Sequence, residues 1–135
     1  MKPETAFVET LLRYPGSQLV SMSDLAARKL ARVEVTRDLR VADLTGPGLV
    51  LIGGTAEISS TRDYTLSWAW SRAVYEHPDG VDGILYRCRH DDDQLAVALF
   101  GRARTAVRVQ DSKPLIGDLR WLGELAGRYK FGLAP

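Results

Sequence analysis

Residues 80–103 read GVDGILYRCRHDDDQLAVALFGRA. Two apolar runs of strand length flank a run of three aspartates. Spacing of this kind predicts a β-hairpin, with 83–88 and 95–100 as paired strands. Cys88 is the chain's one cysteine. It sits at the end of the first run, between Arg87 and Arg89, with His90 next. The thiol there reads in three ways: as a nucleophile, as a substrate contact, or as a small side chain on a charged edge.

Working outward, residues 63–77 carry the clearest helical pattern, with Asp63 placed to cap it. Its main stripe is Leu66, Ala69, Trp70, Ala73 and Val74. Tyr64, Trp68 and Tyr75 make a second stripe, which predicts a helix covered on two sides. Upstream, residues 4–13 form a helix behind Pro3, with Phe7–Leu11 and Val8–Leu12 as apolar pairs and Glu9 at the edge of their face. Ser23 or Asp24 caps a second short helix over LAARKLA (25–31). The alternation in RVEVTRDLRVADL (32–44) predicts two short strands or one bent strand. TGPG (45–48) reads as a turn, and TAEISSTRD (55–63) as loop or helical turn. Downstream come a strand at 105–110, a helix at 116–127 and a final strand in YKFGLA (129–134). These elements give a single α+β domain over 1–135 with a mainly antiparallel sheet and packed helices.

The chain has 135 residues, with 18 basic and 17 acidic side chains and a formal charge of +1. That balance gives no reason to expect direct nucleic-acid binding or a charged membrane surface. No apolar run reaches membrane-spanning length, and the acidic N-terminus lacks the shape of a signal peptide. A single cysteine excludes an internal disulfide, and together these features predict a cytoplasmic protein. Asp91, Asp92 and Asp93 lack the alternating spacing of a calcium loop. His77 and His90 give no zinc pattern, so no metal is expected. GPGLVLIGG (46–54) has neither a dinucleotide fingerprint nor a phosphate-loop lysine. For Cys88, strand alternation turns Arg87 and Arg89 to the opposite face, and only His90 shares its side. A cysteine hydrolase would rest on that Cys–His pair alone.

Several segments together resemble the RES-domain family, named for characteristic Arg, Glu and Ser residues. PETAFVETLL (3–12) resembles the helix that carries the family's glutamate, and VTRDLRVADLTGPGL (35–49) its strand running into a DLtG turn. DYTLSWAWSRAVYEHPDGVDGILYRCRHD (63–91) and LAVALFGRA (95–103) resemble its central helix and the two strands after it. The resemblance implies a fold like that of ADP-ribosyltransferases. It also implies a toxin of a bacterial toxin–antitoxin pair that cleaves NAD at the nicotinamide–ribose bond. NAD is then a substrate, with no cofactor, and the protein partner is a helix-turn-helix antitoxin.

Residue by residue, Glu9 stands at the family's glutamate, Cys88 at its serine and Arg89 at the basic residue that follows. Arg89, and less directly Arg87, suit the pyrophosphate. The signature arginine and a tyrosine, which precede the glutamate in the family, have no counterpart in the eight residues before Glu9. The expectation is therefore an N-terminally incomplete domain with weak or no NAD glycohydrolase or phosphorylase activity. The alternative is a non-catalytic remnant that binds a protein or forms a homo-oligomer through the aromatic stripe.

Overall fold

In a computed structural model, every residue is described except Pro15, Ser17 and Arg62. The protein is mixed α+β. Its elements run α1 (Pro3–Leu11), β1 (Leu19–Ser21), α2 (Met22–Ala26), β2 (Lys29–Val35), β3 (Val41–Leu44), α3 (Gly46–Leu51), α4 (Glu57–Ser60), α5 (Tyr64–Glu76), β4 (Gly83–Arg87), β5 (Leu95–Leu99), β6 (Val107–Pro114), α6 (Leu119–Tyr129) and β7 (Gly132–Ala134). The chain divides into a central unit, Val35–Val107 with Met1, and a terminal unit, Lys2–Glu34 with Arg108–Pro135.

The central unit is built on the three-stranded order β3-β4-β5. The hairpin expected at the acidic turn is present: β4 and β5 pair antiparallel, with Gly83 opposite Leu99 and Arg87 opposite Leu95. At the turn, Gln94 N–H donates to Asp91 O and Cys88 N–H to Gln94 O, both at 2.9 Å. β3 adds to the other edge of β4 in parallel, with Val41 opposite Gly83 and Leu44 opposite Tyr86. A parallel neighbour requires a crossover, and α3, α4 and α5 supply it. Leu44, Ile58 and Ile84 form the unit's buried apolar cluster, with Leu49, Trp70, Val74, Tyr86 and Phe100 packed against it.

α5 lies on this cluster, and Asp63 caps it by accepting from Thr65 N–H at 2.9 Å. The covered side differs from the expected stripe. Ser67, Trp70, Ser71 and Val74 are half-buried at helical spacing, whereas Leu66, Ala69 and Ala73 are exposed. The second stripe is uncovered as well, with Trp68 at 70% exposure. Two serines take the facing positions that a hydrophobicity count gives to the alanines. TGPG is likewise the start of a helix and not a turn alone. Pro47 sits in the first turn of α3, where its missing N–H costs nothing. Gly48 is required there, because a Cβ would lie 2.0 Å from Asp43 O.

One carboxylate ties the edges of this sheet together. Asp82 is buried at the start of β4. Arg37 Nη1 and Nη2 donate to its two oxygens at 2.9 and 2.7 Å. Arg40 N–H donates to Oδ2 at 3.0 Å. Its own N–H donates to Arg40 O, and its carbonyl accepts from Phe100 N–H. The Arg37 hydrogen bonds, then that from Arg40, hold its pKa down from 3.8 to about 2.

The terminal unit has its own core of Phe7, Val20, Leu25, Leu115, Leu122, Leu125 and Phe131. Phe7 meets Trp121 edge-on at 5.8 Å and stacks on Phe131 at 5.5 Å. α6 starts at Asp118, which accepts from Trp121 N–H at 3.1 Å. β1 and β7 pair in parallel. The second helix is shorter than the 25–31 expected: α2 is capped by Ser21, whose hydroxyl accepts from Ser23 N–H. It ends at Ala26, because the chain from Lys29 is drawn into the ladder with β6. Leu115 N–H reaches Arg28 O at 3.1 Å beside it. The strand expected at 105–110 is displaced to Val107–Pro114, after a 3₁₀ segment over Gly101–Ala106. The expectation of one mainly antiparallel sheet gives way, among the described residues, to three small sheets, in which the β1–β7 and β3–β4 ladders run parallel.

Two outcomes follow from the central unit. Asp82 has a folded pKa below its ordinary 3.8, so its stabilising contribution is complete above that value and fades as pH falls through about 2. Asp82→Asn should lower Tm at pH 7 by at least about 5 °C, with the difference from wild type shrinking in acid; thermal melts from pH 7 to pH 2 measure this. Gly83 faces a second constraint, since a Cβ there would lie 2.5 Å from Ala98 O across the ladder. Gly83→Ala should destabilise the protein by about 1–3 kcal/mol in urea titration.

Candidate functional site

β4 carries the central unit's candidate residues to one end of the sheet. Ile84 and Tyr86 share the face turned toward α4 and α5, and Cys88 follows immediately beyond Arg87. Cys88 is 2% exposed. Its backbone is held by Gln94, so the position is set by the hairpin turn rather than by strand pairing. His90 is half-buried in the same turn.

The two flanking arginines have separate tasks. Arg87 is exposed, and its guanidinium donates to Asp92 O within the acidic turn. Arg89 is half-buried, and its Nη1 donates to Thr61 O at 3.2 Å. Thr61 caps the C-terminal end of α4 and leads into α5, so Arg89 fastens the Cys88 turn to the segment joining those helices. A guanidinium presents five donors, and the bond to Thr61 uses one of them.

Glu9 belongs to the terminal unit. It lies on α1, half-buried at the edge of the helix's covered arc, one turn after the fully buried Thr5. Its place at the edge of the apolar face is the one the sequence indicated. Among the described residues no cluster of three or more His, Cys, Asp or Glu could hold a metal ion.

Sequence reasoning missed a cavity of about 250 Å3 between α4–α5 and the sheet. Tyr64, Trp68, Trp70 and Tyr86 line it together with Ser59, Ser67 and Ser71. Ser67 Oγ donates to Ile58 O at 2.6 Å, which holds α4 against α5. Tyr64 and Trp68 stack with centroids 6.2 Å apart at its rim. The available signal was the Ser67–Ser71 spacing in a helix that also carries Tyr64, Trp68 and Trp70, an i, i+4 pair of hydroxyls on the covered side.

With this geometry in place, the comparisons with known proteins have a specific meaning. The family model described as RES domain matches residues 1–121, a span that includes Glu9 and the whole β4 turn. A protein of Sinorhizobium fredii described as "Probable toxin y4kH" is 31% identical over 101 residues, which cover 75% of this chain and 79% of that relative. No solved structure matches the chain. The chain belongs to the RES domain family, and that membership supports a toxin-like role. No helix among the described residues is long and apolar enough to cross a membrane.

The burial of Cys88 has a direct chemical consequence. A thiol reagent such as 5,5′-dithiobis(2-nitrobenzoate) should label the folded protein at least about a hundredfold more slowly than the urea-unfolded chain, because attack needs an accessible thiolate. The absorbance of the released thionitrobenzoate gives both rates.

Proposed function

We propose that this chain is a toxin-type enzyme that binds NAD and cleaves its nicotinamide–ribose bond. The observation that carries this reading is the RES domain match over 1–121, which takes in Glu9, Arg87, Cys88 and Arg89 together. The Sinorhizobium fredii relative, described as a probable toxin, supports the same reading.

The chemistry asks little of the protein beyond placement and charge. As the C–N bond breaks, nicotinamide leaves with the bonding electrons and positive charge builds on the ribose. A carboxylate stabilises that oxocarbenium-like state and can hold a ribose hydroxyl. Glu9 is assigned this role. Water then adds to the ribose carbon and releases a proton, giving ADP-ribose; inorganic phosphate adding instead gives the phosphorylated product. Arg89 is assigned to the pyrophosphate as the basic residue that follows the family's serine position, with Arg87 contributing less. Cys88 is assigned to a substrate hydrogen bond that the family's serine makes more strongly, since a thiol is a weak donor and acceptor; at 2% exposure it makes that contact only when the turn opens toward the substrate. No cofactor is required.

The setting proposed with this activity is the cytoplasm, with a helix-turn-helix antitoxin as protein partner. A partner-binding role has its own support in α3, where Val50 and Leu51 are 78% and 86% exposed. Such apolar surface is suited to a partner or to a second copy of the chain, and a purely non-catalytic module would rest on it together with the exposed stripe of Tyr64, Trp68 and Tyr75.

The test is nicotinamide release from NAD by purified chain, with and without phosphate. Glu9→Gln should lower the rate at least about a hundredfold. Cys88→Ser should raise kcat/KM by about tenfold, the effect of one restored hydrogen bond of ordinary strength. Absence of nicotinamide release in both wild type and Cys88→Ser rejects the activity. Release unaffected by Glu9→Gln rejects the role of the carboxylate.

A further inference from the structure

The cavity beneath α5 exists because small residues meet across the helix–sheet interface. Ser67 and Ser71 occupy the helix side, and Ala98, opposite Ile84 in the ladder, occupies the sheet side. Leu44, Ile58 and Ile84 contribute aliphatic walls, and the space opens to solvent at its rim, where Tyr64 and Trp68 are exposed. Tyr64, Trp68, Trp70 and Tyr86, with Ser59, Ser67 and Ser71, complete the lining. Among the described residues no carboxylate, ammonium or guanidinium lines it. Flat aromatic walls select a flat ring, and hydroxyls select a ring whose edge carries hydrogen-bonding groups. A volume of about 250 Å3 suits one such ring rather than an extended ligand.

We infer that this cavity is a binding site for a planar nitrogen heterocycle with an exocyclic amide or amine, seated between Trp68 and Tyr86 and hydrogen-bonded at its edge by Ser71. The inference rests on the NAD reading for the source of the ring, and the continuity of β4 connects the two. Tyr86 lines the cavity, and Cys88 lies two residues further along an extended chain, about 7 Å away. Arg89 is fastened to Thr61 O, at the junction of the helices that wall the cavity. A ring held there directs its attached ribose and phosphates toward the Cys88–Arg89 turn. Nicotinamide and adenine share the recognised chemistry, and either end of the dinucleotide can supply it.

The experiment titrates the full chain separately with nicotinamide and with adenosine and follows tryptophan fluorescence, since Trp68 and Trp70 both line the cavity. Saturable quenching by one of them is expected, and the one that binds identifies the end of the dinucleotide. Ser71→Leu, which fills the cavity from a half-buried helix position, should weaken that binding at least tenfold and raise KM for NAD with a smaller effect on kcat. Near-ultraviolet circular dichroism confirms that the variant is folded. A second variant, Trp68→Ala, removes one stacking face at an exposed position and should weaken binding without disturbing the core. Ring binding without NAD cleavage upholds the cavity site and rejects the enzymatic reading. The absence of quenching by both ligands overturns the site, as does binding that is unchanged in both variants.

Discussion

The central unit depends on Asp82 being charged and surrounded. A lone buried carboxylate is costly, and the cost is met by Arg37 on both oxygens and by the Arg40 amide. The same residue's backbone joins the entrance of β3 to that of β4 and the exit of β5 to both. With Asp82 in place, β4 starts in a fixed register, and Gly83 can approach Ala98 O closely. Register then determines the rest: Ile84 and Tyr86 face the helices, and Cys88 arrives at the turn. Arg102 extends the arrangement from the far side. Its guanidinium lies 4.2 Å from the Tyr75 ring centroid and donates to Tyr75 O, which secures the last turn of α5.

How much of this was legible in the sequence depended on whether the deciding forces were local. The β4–β5 hairpin was readable because its turn residues and alternation lie within one short segment. The Asp63 cap was readable for the same reason. Asp82 was not, since its partners lie more than forty residues upstream. The parallel pairing of β3 with β4 was hidden likewise, because strand alternation says nothing about a strand's neighbour. Two misreadings had nearer causes. Pro47 follows the same first-turn rule as Pro3, but two glycines beside it read as a turn. Lys29–Ala31 has good helix formers, and the ladder with β6 overrode them.

The candidate residues show the same division. Cys88 and Arg89 could be located from the hairpin alone, whereas the bond from Arg89 to Thr61 joins segments 28 residues apart. Glu9 could be placed at the edge of an amphipathic helix, and the structure puts it there. The cavity under α5 escaped notice because hydrophobicity ranks alanine above serine. That ranking put Ala69 and Ala73 on the covered side, where the fold places Ser67 and Ser71.

The parallel seam between β3 and β4 also orders the events of folding. The hairpin closes over a short acidic turn, on the microsecond scale of local contacts. Arg40 and Asp82 are 42 residues apart, and the entropy of closing so long a loop is lost before their contact gives anything back. α3, α4 and α5 shorten that loop as they form, so β3 docks last onto a hairpin already made. Until β3 docks, one edge of β4 is open, and the charge of Asp82 stays in water without the arginine that encloses it in the folded protein.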